Sequence, residues 1–454
     1  DAYARELGSA LRYITSTFTD EPSLMTHWRK PMPYLCLPVS DELLADYETK
    51  FGHPLKDDIL ALIPGEPVGQ TAAIRHRYWS MVAERVAENF TGPIAEWAAK
   101  HGLFSGGHLL GEESPAMHPT IYGDFFRVLR GLSAPSCDVL TSNPPEVNVL
   151  TPLFAGSAGE LNGAKRVMSE ASDYHQRCFP KGDCRNVQKT ARQIIGSLNR
   201  QIWGGVNTFT SYYRWNAFSA DERRAINEEV GRTVTIASEG RSAADVAVLY
   251  PADTLMTGFE PKRFQTGGAL ARRASAAFMN SVHSIFAAGR PLMIVDNRSI
   301  VEAEISGGVL VNGSLRWRTV VLPNTVTLPI GVARQLAAFA ATGGQVIVLG
   351  ETPVNSEKAF PDAELSGLTA KWTRVSSVKK LAEAVARHHA PAIAVTRGSK
   401  EVMRFSHRRT EKDGDVFFVA NDSPESWDGA VRIVGDPAVR VWHPPNGRFY
   451  DEAA

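Results

Sequence analysis

Through the first 215 residues, short apolar runs alternate with longer amphipathic stretches, and several of the short runs end on carboxylates. Leu11 to Phe18 leads into Asp20-Glu21-Pro22, Gly107-His-Leu-Leu-Gly leads into Glu112-Glu113, and Lys165-Arg-Val-Met-Ser leads into Glu170. Between the first two, the period becomes helical. Tyr78, Met81, Val82, Val86, Ile94 and Trp97 recur at that spacing, which predicts a helix over Ala72 to His101 and then a strand over His108 to Gly111. A helix over Ile121 to Leu132, a strand over Asp138 to Thr141 and a loop at Asn143-Pro-Pro follow. The run Arg166 to Ser169 reads as a strand, Val187 to Trp203 as a helix, and Gly205 to Tyr213 as a strand. Strand then helix, repeated, implies parallel strands joined by right-handed crossovers. About five such strands can be counted, whereas a (β/α) barrel needs eight. The expectation is the C-terminal part of a (β/α)8 barrel, its first strands lying in a missing N-terminal segment or supplied by another chain. An open sheet is the alternative.

A charged helix over Ala220 to Ser238 leads into a different pattern. Strands are expected at Val246 to Tyr250, Leu292 to Asp296, Thr319 to Pro323 and Gln345 to Gly350, with helices over Ala269 to Ala288 and Ile330 to Thr342. This is a doubly wound α/β unit. It lacks Gly-x-Gly-x-x-Gly after its first strand, and Gly343-Gly344 reads as a helix cap and turn. Strands at Val416 to Ala420 and Val439 to Trp442 end the chain. The expected domains are a partial barrel over 1–218, the α/β unit over 219–400 and a small β segment over 401–454.

Charge narrows the partners. Lys+Arg and Asp+Glu balance at 49 each, which favours neither nucleic acid nor an anionic membrane surface and suits a neutral substrate. No apolar run approaches the ~18 to 20 residues of a membrane span. Of four cysteines, Cys36 and Cys137 stand in apolar surroundings and read as buried thiols. Cys178 and Cys184 flank a short loop that a disulfide can close if the compartment is oxidising; the localisation is left open, with a periplasmic or secreted protein slightly favoured. No Cys or His pairs stand at zinc-ligand spacing, and Asp183-Cys-Arg is not part of a calcium loop.

Carboxylates at the C-terminal ends of parallel barrel strands form acidic pockets, and glycosidic cleavage is chemistry that two such groups perform. Glu21 is the candidate general acid, since Pro22 fixes the exit of the strand and burial raises a carboxyl pKa. Asp20 is either a helix cap or a contact to substrate. Strand alternation admits one of Glu112 and Glu113 to the pocket, and Glu112 is preferred, with His108 as a donor to a sugar hydroxyl. Glu170 is the candidate nucleophile or water-activating base. Asn143, Asn207, Tyr212, Tyr213 and Trp215 are expected at or after later strand ends, where amides and aromatic faces hold sugars. No Gly-x-Ser-x-Gly elbow points to a serine hydrolase.

Thr19-Asp-Glu-Pro-Ser23, Arg77-Tyr-Trp79 leading to His101-Gly-Leu, Gly107-His-Leu-Leu-Gly-Glu112, Ser169-Glu170 and Gly205-Val-Asn207 together resemble glycoside hydrolase family 106, the α-L-rhamnosidases, and related barrel glycosidases. Arg318-Thr-Val-Val-Leu-Pro323, Gly343-Gly-Gln-Val-Ile347 and Val441-Trp-His-Pro-Pro-Asn-Gly447 extend the resemblance along nearly the whole chain. It implies Glu21 as general acid, Glu112 and Glu170 as candidates to activate water, inversion at the anomeric carbon, an associated calcium ion and an amidotransferase-like middle unit. Thr208-Phe-Thr-Ser-Tyr212 departs from the histidine expected in related barrels, leaving the sugar open. The reading is an exo-acting, α-L-rhamnosidase-like glycoside hydrolase. Its alternatives are a retaining β-galactosidase-like enzyme and a non-catalytic carbohydrate-binding or scaffold protein.

Overall fold

The computed structural model describes residues 2–24, 31–65, 69–175, 189–262, 267–388, 390–410, 414–434 and 439–451. Five parallel strands come first: β1 (Ser16–Asp20), β2 (Phe104–His108), β3 (Ala134–Val139), β4 (Met168–Ala171) and β5 (Thr208–Ser211). Each pairs with its neighbour in sequence, in the order β1-β2-β3-β4-β5. Sequential parallel order is how (β/α) barrels are wound, and the five strands form a curled half-barrel. Glycine sets the closeness of its first pair. A Cβ on Gly107, where φ is 138°, would lie 2.1 Å from Thr19 Oγ1 and 2.4 Å from the Thr19 carbonyl oxygen.

The strand ends correct the sequence reading. β2 ends at His108 instead of running from His108 to Gly111, because the chain turns at Gly111 (φ 76°) and carries the buried Leu109 and Leu110 off the sheet. β3 occupies Ala134–Val139 instead of 138–141, and β4 occupies Met168–Ala171 instead of 166–169. A buried parallel strand is largely apolar on both faces, so hydrophobic period alone does not fix its ends. Helices differ too. The segment expected as one helix over 72–101 is Gln70–Val86, a π-turn at Ala87–Thr91, and Gly92–Lys100. The helix expected over 121–132 is His118–Tyr122 and Phe125–Arg130, broken at Gly123 (φ 71°), whose backbone lies against Ala83.

Beyond the capped helix Ala220–Ala237, five parallel strands make a second sheet. Its spatial order is Thr373–Val375, Gln345–Leu349, Thr319–Pro323, Val246–Leu249, Leu292–Val295. The second strand in sequence lies outside the first, which is doubly wound topology. Next come antiparallel strands, of which Met403–Arg409 pairs with both Asp415–Asn421 and Arg241–Ser242. Arg200 anchors this region to the half-barrel through two 2.6 Å bonds to Asp422.

One hydrophobic core passes from the half-barrel's helices into the second sheet, joining Trp79, Ile121 and Phe154 to Val248, Phe278 and Ile347. Trp79 meets Phe259 edge-on at 4.7 Å, and Phe154 lies 5.7 Å from both Tyr250 and Phe278. Cys137 is buried and Cys36 half-buried, each with a free thiol, so the expectation of burial fails for Cys36. Cys178, Cys184 and Asp183 lie outside the described residues. Among the described residues, no helix is long and apolar enough to cross a membrane.

Candidate active site

Pairing register brings the strand-end side chains together. Asp20 of β1 is the partner of His108 on β2, and Asp138 of β3 is the partner of Glu170 on β4. Partners in a parallel pair point to the same face, so four polar side chains from four strands converge at the C-terminal ends. His108 is the centre. It is 1% exposed, with Nε2 at 3.0 Å from Glu170 Oε2 and 3.4 Å from Asp20 Oδ1, while its Nδ1 has no hydrogen-bond partner. Phe18 meets the imidazole edge-on at 5.5 Å.

Glu21 follows the last residue of β1 with φ at 43°, a left-handed conformation uncommon for a side-chain-bearing residue and held here between strand and proline. An oxygen of Glu21, one of Asp138 and a nitrogen of His108 lie within 4.8 Å of one another. Asp20, His108 and Glu170 form a second such group. Glu112 is buried four residues beyond β2, where its Oε2 accepts the Asp138 N–H at 3.2 Å and its Oε1 has no partner, whereas Glu113 is exposed.

Crowding of carboxyls in a poorly solvated place favours their neutral forms. Burial, followed by the charges of Glu170 and Glu21, pushes Asp138 up to about 8. Burial, with Glu113 next, pushes Glu112 well above the usual carboxylate range. Tyr212, half exposed just after β5, is raised to about 12, mainly by burial. At neutral pH Asp138 therefore retains its proton, and burial favours the neutral form of Glu112.

Two expected contacts lie elsewhere. Asn207 precedes β5, so it sits at the opposite end of the strands, where its Oδ1 accepts the Val167 N–H and its Nδ2 donates to the Lys165 carbonyl. Tyr213 is buried in the core packed around Ile194 and Ile226, with its ring against Trp215. Asn143 does follow a strand end, in the loop after β3, where its Nδ2 donates to Glu146 Oε1 at 2.8 Å. Asp138 is the site residue that sequence reasoning missed. Starting the strand at Asp138 put it at the wrong end, because Ala134-Pro-Ser-Cys137 directly before it carries no apolar run to mark a strand.

Both three-residue groups have the spacing to hold a metal ion, and both include His108. Calcium takes six to eight oxygen ligands, so an imidazole at the centre fits it poorly, whereas mixed nitrogen and carboxylate donors suit a transition ion. A calcium ion here would draw on Asp20, Glu21, Asp138 and Glu170 alone.

The sequential parallel strands, with carboxylates gathered at their C-terminal ends, define a partial (β/α)-barrel fold. No family pattern and no curated protein matches the sequence. Solved structures match the fold. A rhamnosidase from Novosphingobium sp. PP1Y superposes with TM-score 0.65 at 16% identity, over 91% of this chain and 41% of that one. A beta-galactosidase from Bacillus circulans sp. alkalophilus gives 0.64 at 11% identity, over 92% of this chain and 75% of that one. An exo-carrageenase of glycoside hydrolase family 42 from Bacteroides ovatus gives 0.57 at 11%, over 84% of this chain and 56% of that one. The likeness is one of fold shared with several glycoside hydrolase families and does not single out family 106. This chain spans less than two thirds of the rhamnosidase and of the exo-carrageenase.

Proposed function

We propose that the chain carries the active-site half of an exo-acting, α-L-rhamnosidase-like glycoside hydrolase. The observation that supports this reading is the convergence of Glu21, Glu112, Asp138 and Glu170 around His108 at the barrel strand ends. Glu21 is the general acid. One of its oxygens lies within 4.8 Å of one of Asp138, which holds a proton to about pH 8, so Asp138 is the proton source beside it. The proton passes to the glycosidic oxygen as the bond to the anomeric carbon breaks. Glu170, which accepts from His108 Nε2–H, takes a proton from the attacking water. Burial disfavours the charged form of Glu112, which makes it the poorer base of the two candidates. Asp20 is a contact for a sugar hydroxyl beside His108.

Inversion needs carboxyls ~6.5 to 9.5 Å apart and retention ~5 to 5.5 Å. Within each group the oxygens approach to less than 4.8 Å, so an inverting pair takes one carboxyl from each, Glu21 with Glu170. That close spacing is also what favours the second reading, a retaining β-galactosidase-like enzyme. Hydrolysis of aryl α-L-rhamnosides and β-D-galactosides, by this chain and by one extended with further N-terminal barrel strands, tests both. NMR detection of the anomer released first separates inversion from retention. Activity only in the extended form would mean that the remaining strands complete the pocket. Inactivity of both forms on every glycoside, with sugar binding intact, would replace the enzyme by a carbohydrate-binding or scaffold role.

A further inference from the structure

A cavity of about 570 Å³ opens beside Glu21, and the carboxyl chemistry described above does not use it. Pro22, Ser23 and Leu24 line it directly after Glu21, and Leu24 N–H donates to the carbonyl of Ile121, also in the wall, at 3.3 Å. The rest of the wall comes from the segment before the helix Asp41–Phe51, from the long helix with its π-turn, and from His118–Tyr122. Its surface is mainly apolar, with Val39, Leu43, Val82, Val86, Phe90 and Ile121 prominent. Several polar groups in the wall are engaged within the protein. Tyr122 Oη accepts the Leu110 N–H, Ser40 Oγ caps Leu43 N–H, and Arg85 pairs with Asp46 and Glu88.

We propose that this cavity is the subsite for the leaving group, and that the group it takes is an apolar, ring-bearing aglycone and not a second sugar. The inference rests on the glycosidase reading with Glu21 as acid. A sugar subsite needs several convergent hydrogen-bonding groups, whereas this wall is mostly hydrocarbon, and of its polar side chains Ser23, Ser40, Glu42, Arg85, Asn89 and Tyr122, three (Ser40, Arg85 and Tyr122) are already bonded within the protein. Position supplies the other half of the argument. The aglycone is bonded to the oxygen that Glu21 protonates, and three residues of chain reach at most ~10 Å, so Leu24 lies within that distance of the acid's backbone. Volume agrees as well, since pockets of roughly 300 to 1,000 Å³ enclose ligands of two or three rings. The π-turn at Ala87–Thr91 places Asn89 and Phe90 in the wall, and such turns recur at functional sites.

Phenyl and 2-naphthyl glycosides of whichever sugar is cleaved provide the test, because the two phenols leave with similar acidity and differ by one ring. The expected kcat/KM for the naphthyl substrate is about tenfold or more above that for phenyl. Val39→Trp fills the cavity from a position that is 53% exposed, so folding survives, and it should bring the naphthyl-to-phenyl ratio to about one or below. Free 2-naphthol, titrated by fluorescence, should bind the parent chain and not the variant. Hydrolysis of both substrates with equal efficiency, unaltered by Val39→Trp, would overturn the aglycone assignment and leave the enzyme reading standing. Naphthol binding without hydrolysis of any glycoside would overturn both.

Discussion

A carboxyl that is buried beside other carboxyls keeps its proton to higher pH, and Asp138 is raised to about 8 for that reason. An unfolded aspartate ionises near pH 4, so between ~4 and ~8 the folded protein binds the proton that the unfolded chain has released. The contribution of Asp138 to stability is thus greatest below about pH 4, falls as pH rises to about 8, and is flat above. Asp138→Asn should consequently gain stability over the parent at pH 8 and little at pH 4, as read from urea midpoints. The same substitution should lower kcat/KM by about 10² to 10⁴ and displace the alkaline limb expected for the parent near pH 8. Glu21→Gln should lose activity most on substrates with poor leaving groups, and retention of full activity on an alkyl glycoside would remove it from the acid role. At this scale the sequence marked Glu21, Glu112 and Glu170 by their place after apolar runs. It did not mark Asp138, because a residue's rank at a strand end depends on pairing register, which adjacent residues do not encode.

Elements hold these residues through a few close contacts. Gly107→Ala would place a methyl 2.1 Å from Thr19 Oγ1, and β1 would have to move away from β2, separating Asp20 and Glu21 from His108. We expect a cost of about 3 kcal/mol or more in urea unfolding, with activity lost even where the variant folds. The turn that carries Glu112 has its own support. His118, fully buried and driven by that burial to about 3, is neutral at physiological pH. Its Nε2–H donates to the Gly111 carbonyl at 2.9 Å, and its Nδ1 accepts from Tyr250 Oη at 2.7 Å. Tyr250→Phe leaves that nitrogen buried without a donor and should cost about 1 to 3 kcal/mol. In a double-mutant cycle with His118→Asn, the loss should be strongly non-additive. Helical period and caps made the elements of the second unit legible almost to the residue, as Thr319–Pro323 and Ile330–Ala341 illustrate. The half-barrel's helices were less legible, since Gly123 and the π-turn answer to packing against neighbouring elements and not to local period.

Across the whole molecule, the half-barrel and the doubly wound sheet share one core, and Tyr250 at the end of the first strand of that sheet reaches the turn that carries Glu112 through His118. A shared core predicts one cooperative unfolding transition for these two regions, observed identically by tryptophan fluorescence and far-ultraviolet circular dichroism. Trp79→Ala, which empties the contact with Phe259, should lower stability by about 3 to 5 kcal/mol while keeping the transition single. Two separated transitions would show that the regions fold independently. The sequence by itself determined the succession of strands and helices, the change from barrel winding to a doubly wound sheet, and the presence of carboxylates near strand ends, because these follow from local period and composition. Tertiary structure alone decided which carboxylates meet, that Asn207 and Tyr213 stand away from them, and that a cavity opens beside Glu21. Register, burial and the mutual repulsion of charges arise only when residues far apart in the chain are brought into contact.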